Sequence, residues 1–122
     1  MVTGIEFFVG AREDMLYDPM LVVGAGGVLV EIFKDISVRL LPVTQEDVSS
    51  MISELRCAPI LKDFRGRGPS DIQALISGIK TLGDFYIEHR TWLTDIEINP
   101  LIVKPKDRGV CAIDIRAITR KV

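Results

Sequence analysis

Helical periodicity occupies only the middle of this chain, and the segments on either side read as strands, so helices and strands are segregated rather than alternating. That arrangement predicts an α+β fold, a layer of largely antiparallel sheet with two main helices packed on it. Thr44 followed by Asp47 makes a capping-box start, and Val48, Met51, Ile52 and Leu55 then recur at helical spacing, predicting a short helix over about 45–56. Ser70 with Gln73 is a second capping box. Ile72, Leu75, Ile76, Ile79, Leu82 and Phe85 mark one apolar face of a longer helix ending near Glu88. Between the two, Lys62 to Pro69 holds two glycines and a proline and reads as a loop.

Before the helices, Gly4 to Pro42 is rich in Val, Ile, Leu and Phe broken by Gly-containing stretches, predicting strands near 4–12, 20–24, 28–34 and 37–41. After them, Asp95-Ile96-Glu97-Ile98-Asn99 alternates polar and apolar like a half-buried strand, and Pro100 is expected to interrupt any simple continuation of the ladder. Leu101-Ile102-Val103 and Val110-Cys111-Ala112-Ile113 then flank a polar turn, Lys104 to Gly109, as a β-hairpin. No internal repeat, low-complexity tract or linker divides residues 1–122, which are read as one domain. A strand-like segment follows Met1 almost at once, which suggests a chain beginning in the middle of a larger fold.

Composition excludes several classes of function. No apolar run approaches the roughly 20 residues of a membrane span, and the N-terminus lacks a basic segment followed by a long apolar one, so neither membrane nor secretion is expected. Cys57 and Cys111 stand far apart with no CxxC or His companions, which fits neither a disulfide framework nor a zinc site and favours the reducing cytoplasm. A net charge of −2 gives no global field for nucleic acid, and the aromatics show no stacking pattern.

If Val103 faces Val110 across the hairpin, antiparallel register brings Asn99 opposite Asp114, and Glu97, two residues from Asn99, shares their face. Two carboxylates and an amide carbonyl are hard oxygen donors suited to Mg²⁺ carrying substrate phosphates. The same alternation also describes the solvated outer face of an edge hairpin. Gly24-Ala25-Gly26-Gly27 permits close backbone approach to a phosphate or, equally, a tight strand connection; it matches neither GxxxxGK[ST] nor GxGxxG. Arg65 and Arg67 lie in the Gly-rich loop before the second helix, where they either hold an anion or are solvated. Arg39, amid Val38, Leu40 and Leu41, either reaches a phosphate or points outward. His89, the one histidine, ends a helix and reads as a surface residue stabilising its C-terminus. Both cysteines read as packing residues.

Several strings together carry a resemblance: Gly4 to Asp14, Gly26-Gly27-Val28 with Glu31 and Lys34-Asp35, Phe64-Arg65-Gly66, and Asp95 to Val103. Over about residues 3 to 117 the chain resembles the ATP-grasp domain of ADP-forming acyl-CoA (acetyl-CoA) synthetases, related to the succinyl-CoA synthetase β subunit. It departs where the family usually has Phe-Gly-Pro, here Tyr17-Asp18-Pro19, and where a glycine precedes Phe-Arg-Gly, here Asp63. The resemblance implies that Asn99 and Asp114 hold Mg²⁺ on the phosphates of ATP or ADP, the pair that the assumed register brings together. Glu97 would support them, with Arg39 and Arg65 as second-rank phosphate or loop-orienting residues. It implies the reaction of acyl-CoA, ADP and phosphate to acid, CoA and ATP through an acyl phosphate and a phosphorylated histidine on another domain or subunit.

On this reading the chain is the C-terminal subdomain of the ATP-grasp fold. Its partners would be the remainder of that fold and a CoA-binding domain or subunit, and the isolated chain is expected to lack turnover. A second copy could pair through surface that the missing half would cover. The alternative is a noncatalytic regulatory or assembly module of the kind fused to acetyltransferase domains.

Overall fold

The computed structural model describes residues 4–26, 35–63, 66 and 68–120. Strands β1 (Ile5–Glu13), β2 (Pro19–Ala25) and β3 (Ile36–Leu40) come first, then helix α1 (Gln45–Glu54), a 3₁₀ turn (Ala58–Leu61) and helix α2 (Ile72–Glu88). Strands β4 (Leu93–Val103), β5 (Val110–Ala112) and β6 (Ile115–Thr119) complete the chain. They form one antiparallel sheet in the order β3-β2-β1-β4-β5, with β6 also paired to β4. The expected α+β layer is therefore present. The strand expected over 28–34 lies outside the described residues.

Alternation along the strands separates two faces. Phe7, Val9 and Ala11 of β1 and Leu21 and Val23 of β2 are buried with Val48, Met51 and Ile52 of α1 and Leu75, Ile76, Ile79 and Leu82 of α2. The opposite face carries Phe8, Gly10 and Arg12 of β1 and, on the outer strand β3, Ile36, Val38 and Leu40, all three exposed. No helix among the described residues is long and apolar enough to cross a membrane.

The first helix begins as its sequence predicts. The Thr44 side chain accepts from the Asp47 N–H and the Asp47 carboxylate accepts from the Thr44 N–H, a complete capping box. The second start is different. Its cap is Asp71 rather than Ser70: one Asp71 oxygen accepts from the Ala74 N–H at 3.1 Å, and the other accepts from Gly109 N–H at 2.8 Å in the β4–β5 turn. Ser70 is buried, and its backbone bridges to Pro105 of the hairpin. Asp71 thus holds the turn that sets the hairpin register.

Position 86 displaces position 85 on the buried face of α2. Leu75, Ile79, Leu82 and Tyr86 follow the helical period and are buried, whereas Phe85 is 39% exposed. Tyr86 reconciles full burial with its hydroxyl by donating to the Thr94 carbonyl at 2.8 Å. As expected, the ladder with β1 does not continue simply past Pro100: its register shifts there, while β4 itself runs through as one strand with a cis Asn99–Pro100 bond. Of the hairpin's second apolar segment only Val110 packs against the core, and Ile113 is 52% exposed.

The core accounts for two expected outcomes in denaturant unfolding. Leu75→Ala should cost about 2–5 kcal/mol, since a fully buried methyl pair leaves a cavity. Tyr86→Phe, which leaves the Thr94 carbonyl without its donor, should cost about 1 kcal/mol. Equal losses for the two variants would contradict this packing.

Candidate functional site on the β4–β6 edge

The site is built on β4, which is hydrogen-bonded to β1 along one edge and to β5 and β6 along the other. Against β1, Ile98 pairs with Val9 and Leu101 with Phe7, so Asn99 and Pro100 together oppose the single residue Phe8. That is a β-bulge, a feature enriched beside active sites because it re-aims side chains. Its consequence is that Ile98 and Leu101, three residues apart, both face the core. On its other side β4 pairs Val103 with Val110 and Leu101 with Ala112, then Ile98 with Ile115 and Glu97 with Arg116. The register assumed for the hairpin therefore holds and continues past it.

Between those two ladders the Asn99 N–H donates to the Asp114 carbonyl at 3.0 Å, and the Ile113 N–H donates to the Pro100 carbonyl at 3.0 Å. Asn99 and Asp114 are thus immediate neighbours, and both are exposed. Glu97, half-buried, lies in a cross-strand row with Gly10 on one side and Arg116 on the other; the next row is Arg12, Asp95 and Ile118. With Phe8 and Val22, the side chains of Arg12, Asp95 and Glu97 line a shallow depression of about 60 Å³ on the helix-free face. Among the described residues no three His, Cys, Asp or Glu side chains gather as a metal cage. Mg²⁺ needs none, since it commonly takes one or two carboxylates and completes its shell with water and phosphate oxygens. An exposed carboxylate beside an exposed amide fits that requirement.

Arg39 is not brought to this edge. It pairs with Leu21 across β2–β3, which turns it to the helix side, where it is ion-paired with Glu54 of α1 and donates to the Val38 carbonyl at 2.9 Å. Ser37, buried beside it, donates to the same Glu54 carboxylate at 2.7 Å. Hydrogen bonds from Arg39 and then Ser37 hold the Glu54 carboxyl below its ordinary value. Arg65 and Arg67 lie outside the described residues. Gly24 has a steric reason for its identity, since a Cβ there would come within 2.8 Å of the Asp35 carbonyl and 2.7 Å of the Ile36 side chain. At this position the tight strand connection accounts for the glycine; Gly27 is outside the described residues.

The remaining polar groups have structural employment. Asp35, buried, accepts from the Arg56 and Cys57 N–H groups at 2.6 and 2.9 Å and so ties the start of β3 to the end of α1. Cys57 is pushed up to about 11, first by burial and then by Asp35, which leaves it a thiol at neutral pH. His89 caps α2, its ring centroid 4.2 Å from that of Phe85 and 5.4 Å from that of Trp92. The reading of the sequence passed over Arg12 and Arg116; continuing the hairpin register two residues past Asp114 would have reached Arg116.

Residues 1–118 match the ATP-grasp domain, and the chain belongs to that family. It is 32% identical over 117 residues to the β subunit of the ADP-forming acetate–CoA ligase II of Pyrococcus furiosus, an alignment covering 96% of this chain and 50% of that subunit. It is 30% identical over 113 residues to the ADP-forming 4-hydroxybutyrate–CoA ligase of Nitrosopumilus maritimus, covering 93% of this chain and 16% of that protein. The fold is similar, with a TM-score of 0.89 and 34% identity, to the acetyl-coenzyme A synthetase 1 of Ca. Korarchaeum cryptofilum solved with coenzyme A and Mg-AMPPCP. That superposition covers 98% of this chain and 55% of the other. The chain therefore spans between 16% and 55% of the length of these proteins.

Two acidic groups give stability a defined pH dependence. The Asp47 carboxyl, held down by the hydrogen bonds of the Thr44 cap, and the Glu54 carboxyl, held down by Arg39 and Ser37, both have lowered values in the folded chain. Their contribution is present above the ordinary carboxylate range and is lost as pH falls through the lowered folded values. Thermal unfolding followed from pH 7 to pH 3 should therefore decline less steeply in Asp47→Asn and in Glu54→Gln than in the wild type; an unchanged slope would remove these two groups from the acid response.

Proposed function

We propose that the chain is the C-terminal subdomain of the ATP-grasp fold in an ADP-forming acid–CoA ligase and forms the edge on which Mg²⁺ and the nucleotide phosphates are held. The observation that carries this reading is the Asn99 N–H to Asp114 carbonyl bond of 3.0 Å, which sets an exposed amide beside an exposed carboxylate at a β-bulge. Asn99 and Asp114 are the metal-holding pair, and Glu97 lies two residues along β4. The bound metal would supply neutralisation of phosphate charge during phosphoryl transfer. The chain's own part is positioning: the double-sided ladder of β4 fixes both donors, and the bulge turns them away from the core. Arg39, engaged with Glu54, acts in orienting β3 against α1 rather than on phosphate. Arg65 remains a second-rank phosphate candidate.

The overall reaction interconverts acyl-CoA, ADP and phosphate with acid, CoA and ATP. Its phosphohistidine and CoA site belong to another domain or subunit, and the remaining nucleotide contacts to the rest of the ATP-grasp fold. Ligases that hold CoA, Mg-AMPPCP and a phosphohistidine segment among the structural relatives support this reading over a noncatalytic acetyltransferase-linked module. Two unbridged cysteines fit a cytoplasmic location.

In the assembled ligase, Asn99→Ala and Asp114→Ala should each lower kcat/KM for nucleotide by about 100-fold or more, the usual scale for removing one electrostatic contact to a transferring group. His89→Ala should leave it nearly intact. Activity that tracked His89 and ignored Asp114 would overturn the assignment. The 122-residue chain by itself should form no ATP from acyl-CoA, ADP and phosphate; turnover that survives rigorous purification would contradict the fragment reading.

A further inference from the structure

We propose that Arg116 is a phosphate-binding residue of this same edge, its guanidinium taking phosphate oxygens beside the Asn99–Asp114 pair; the inference rests on the nucleotide reading above. Three observations carry it. Arg116 is directly opposed to Glu97 across β4–β6, and opposed residues of an antiparallel pair share a face. Glu97 alternates with Ile96 and Ile98, which pack against the core, so Glu97 and Arg116 both project from the helix-free face. On the other side of Glu97 the row continues through Gly10, which carries no side chain, to Val22 of β2.

The second observation is employment. Arg39, Arg90 and Arg120 each lie within ion-pair distance of a carboxylate, Glu54 for the first and Glu13 for the other two. Among the described residues Arg116 forms no ion pair, and it is exposed on β6. Packing does not explain it either, since every residue of β6 is exposed.

The third is charge. Glu97 and Asp114 put two carboxylates where a polyphosphate would approach, and a single divalent cation leaves that assembly negative. A guanidinium two residues past Asp114 offsets the excess, and its planar fork donates to two phosphate oxygens at once. Arg12 is the weaker choice because it opposes Asp95, one row farther from Asn99.

The test is a titration of the assembled ligase, ¹⁵N-labelled in this chain, with Mg-ATP, following backbone amides and the Arg116 Nε–H signal. Asn99, Asp114 and Arg116 should shift together with one Kd. Arg116→Ala should raise that Kd about tenfold and Arg116→Lys less, with thermal unfolding unchanged in both. If Arg116→Ala leaves the Kd within twofold while Asp114→Ala raises it, the role of Arg116 is overturned and the nucleotide reading stands. If Arg116→Ala raises it while Asp114→Ala does not, Arg116 stands as an anion site and the metal assignment falls. Absence of any shift on β4 and β6 at millimolar Mg-ATP overturns both.

Discussion

The hydrogen bonding of β4 along both edges is the constraint on which the rest depends. Its ladder with β1 fixes Ile96 and Ile98 against the helices and leaves Asp95 and Glu97 on the other face. A slip of one residue would exchange them, and an unpaired carboxylate in the core costs far more than an exposed isoleucine. The same strand carries β5 and β6 on its far side, so a single register decides both what is buried and which polar groups meet. The extra residue at Asn99–Pro100 changes the phase of alternation between the two halves of β4, and the proposed metal pair sits at that change of phase.

Around this strand the rest of the fold performs a holding function. Asp71 joins the start of α2 to the β4–β5 turn through its two carboxylate oxygens, so helix packing and hairpin register are coupled at one side chain. Glu13 plays a comparable part at the other end, where Arg120, beyond β6, and Arg90, beyond α2, converge on it. Both devices lie outside the face that carries Glu97, which leaves that face free for recognition. Its composition is mixed: charged rows over β4 and apolar side chains of β3, Ile36, Val38 and Leu40, left uncovered.

Much of this was legible in the sequence because it depends on short-range pattern. The alternation of Asp95 to Asn99, the capping box at Thr44 and the hairpin at Lys104 to Gly109 are local signals, and the Asn99–Asp114 juxtaposition followed from hairpin register alone. The misreadings share a cause in tertiary context. Ser70 and Asp71 are both good caps, and the choice between them is made by Pro105 and Gly109, distant in sequence. Phe85 lost its place to Tyr86 because a neighbouring carbonyl, Thr94, could take a buried hydroxyl. Pro100 signalled a break in the ladder, but that the break takes the form of a bulge depends on β1. Strand β6 carries no buried residue, so it had no alternation to betray it. Arg39 could not be assigned a face without knowing that Glu54 waits above it.

Asn99 and Asp114 together are proposed to mark the point at which a divalent metal and a nucleotide meet this chain. Paramagnetic broadening by Mn-ADP tests it most directly, because the effect falls steeply with distance from the ion and needs no turnover. The account predicts that the backbone amides of Asn99 and Asp114 broaden first and most, followed by those of Glu97 and Arg116. Broadening centred instead on another acidic stretch, such as the Asp14–Asp18 turn, would contradict it.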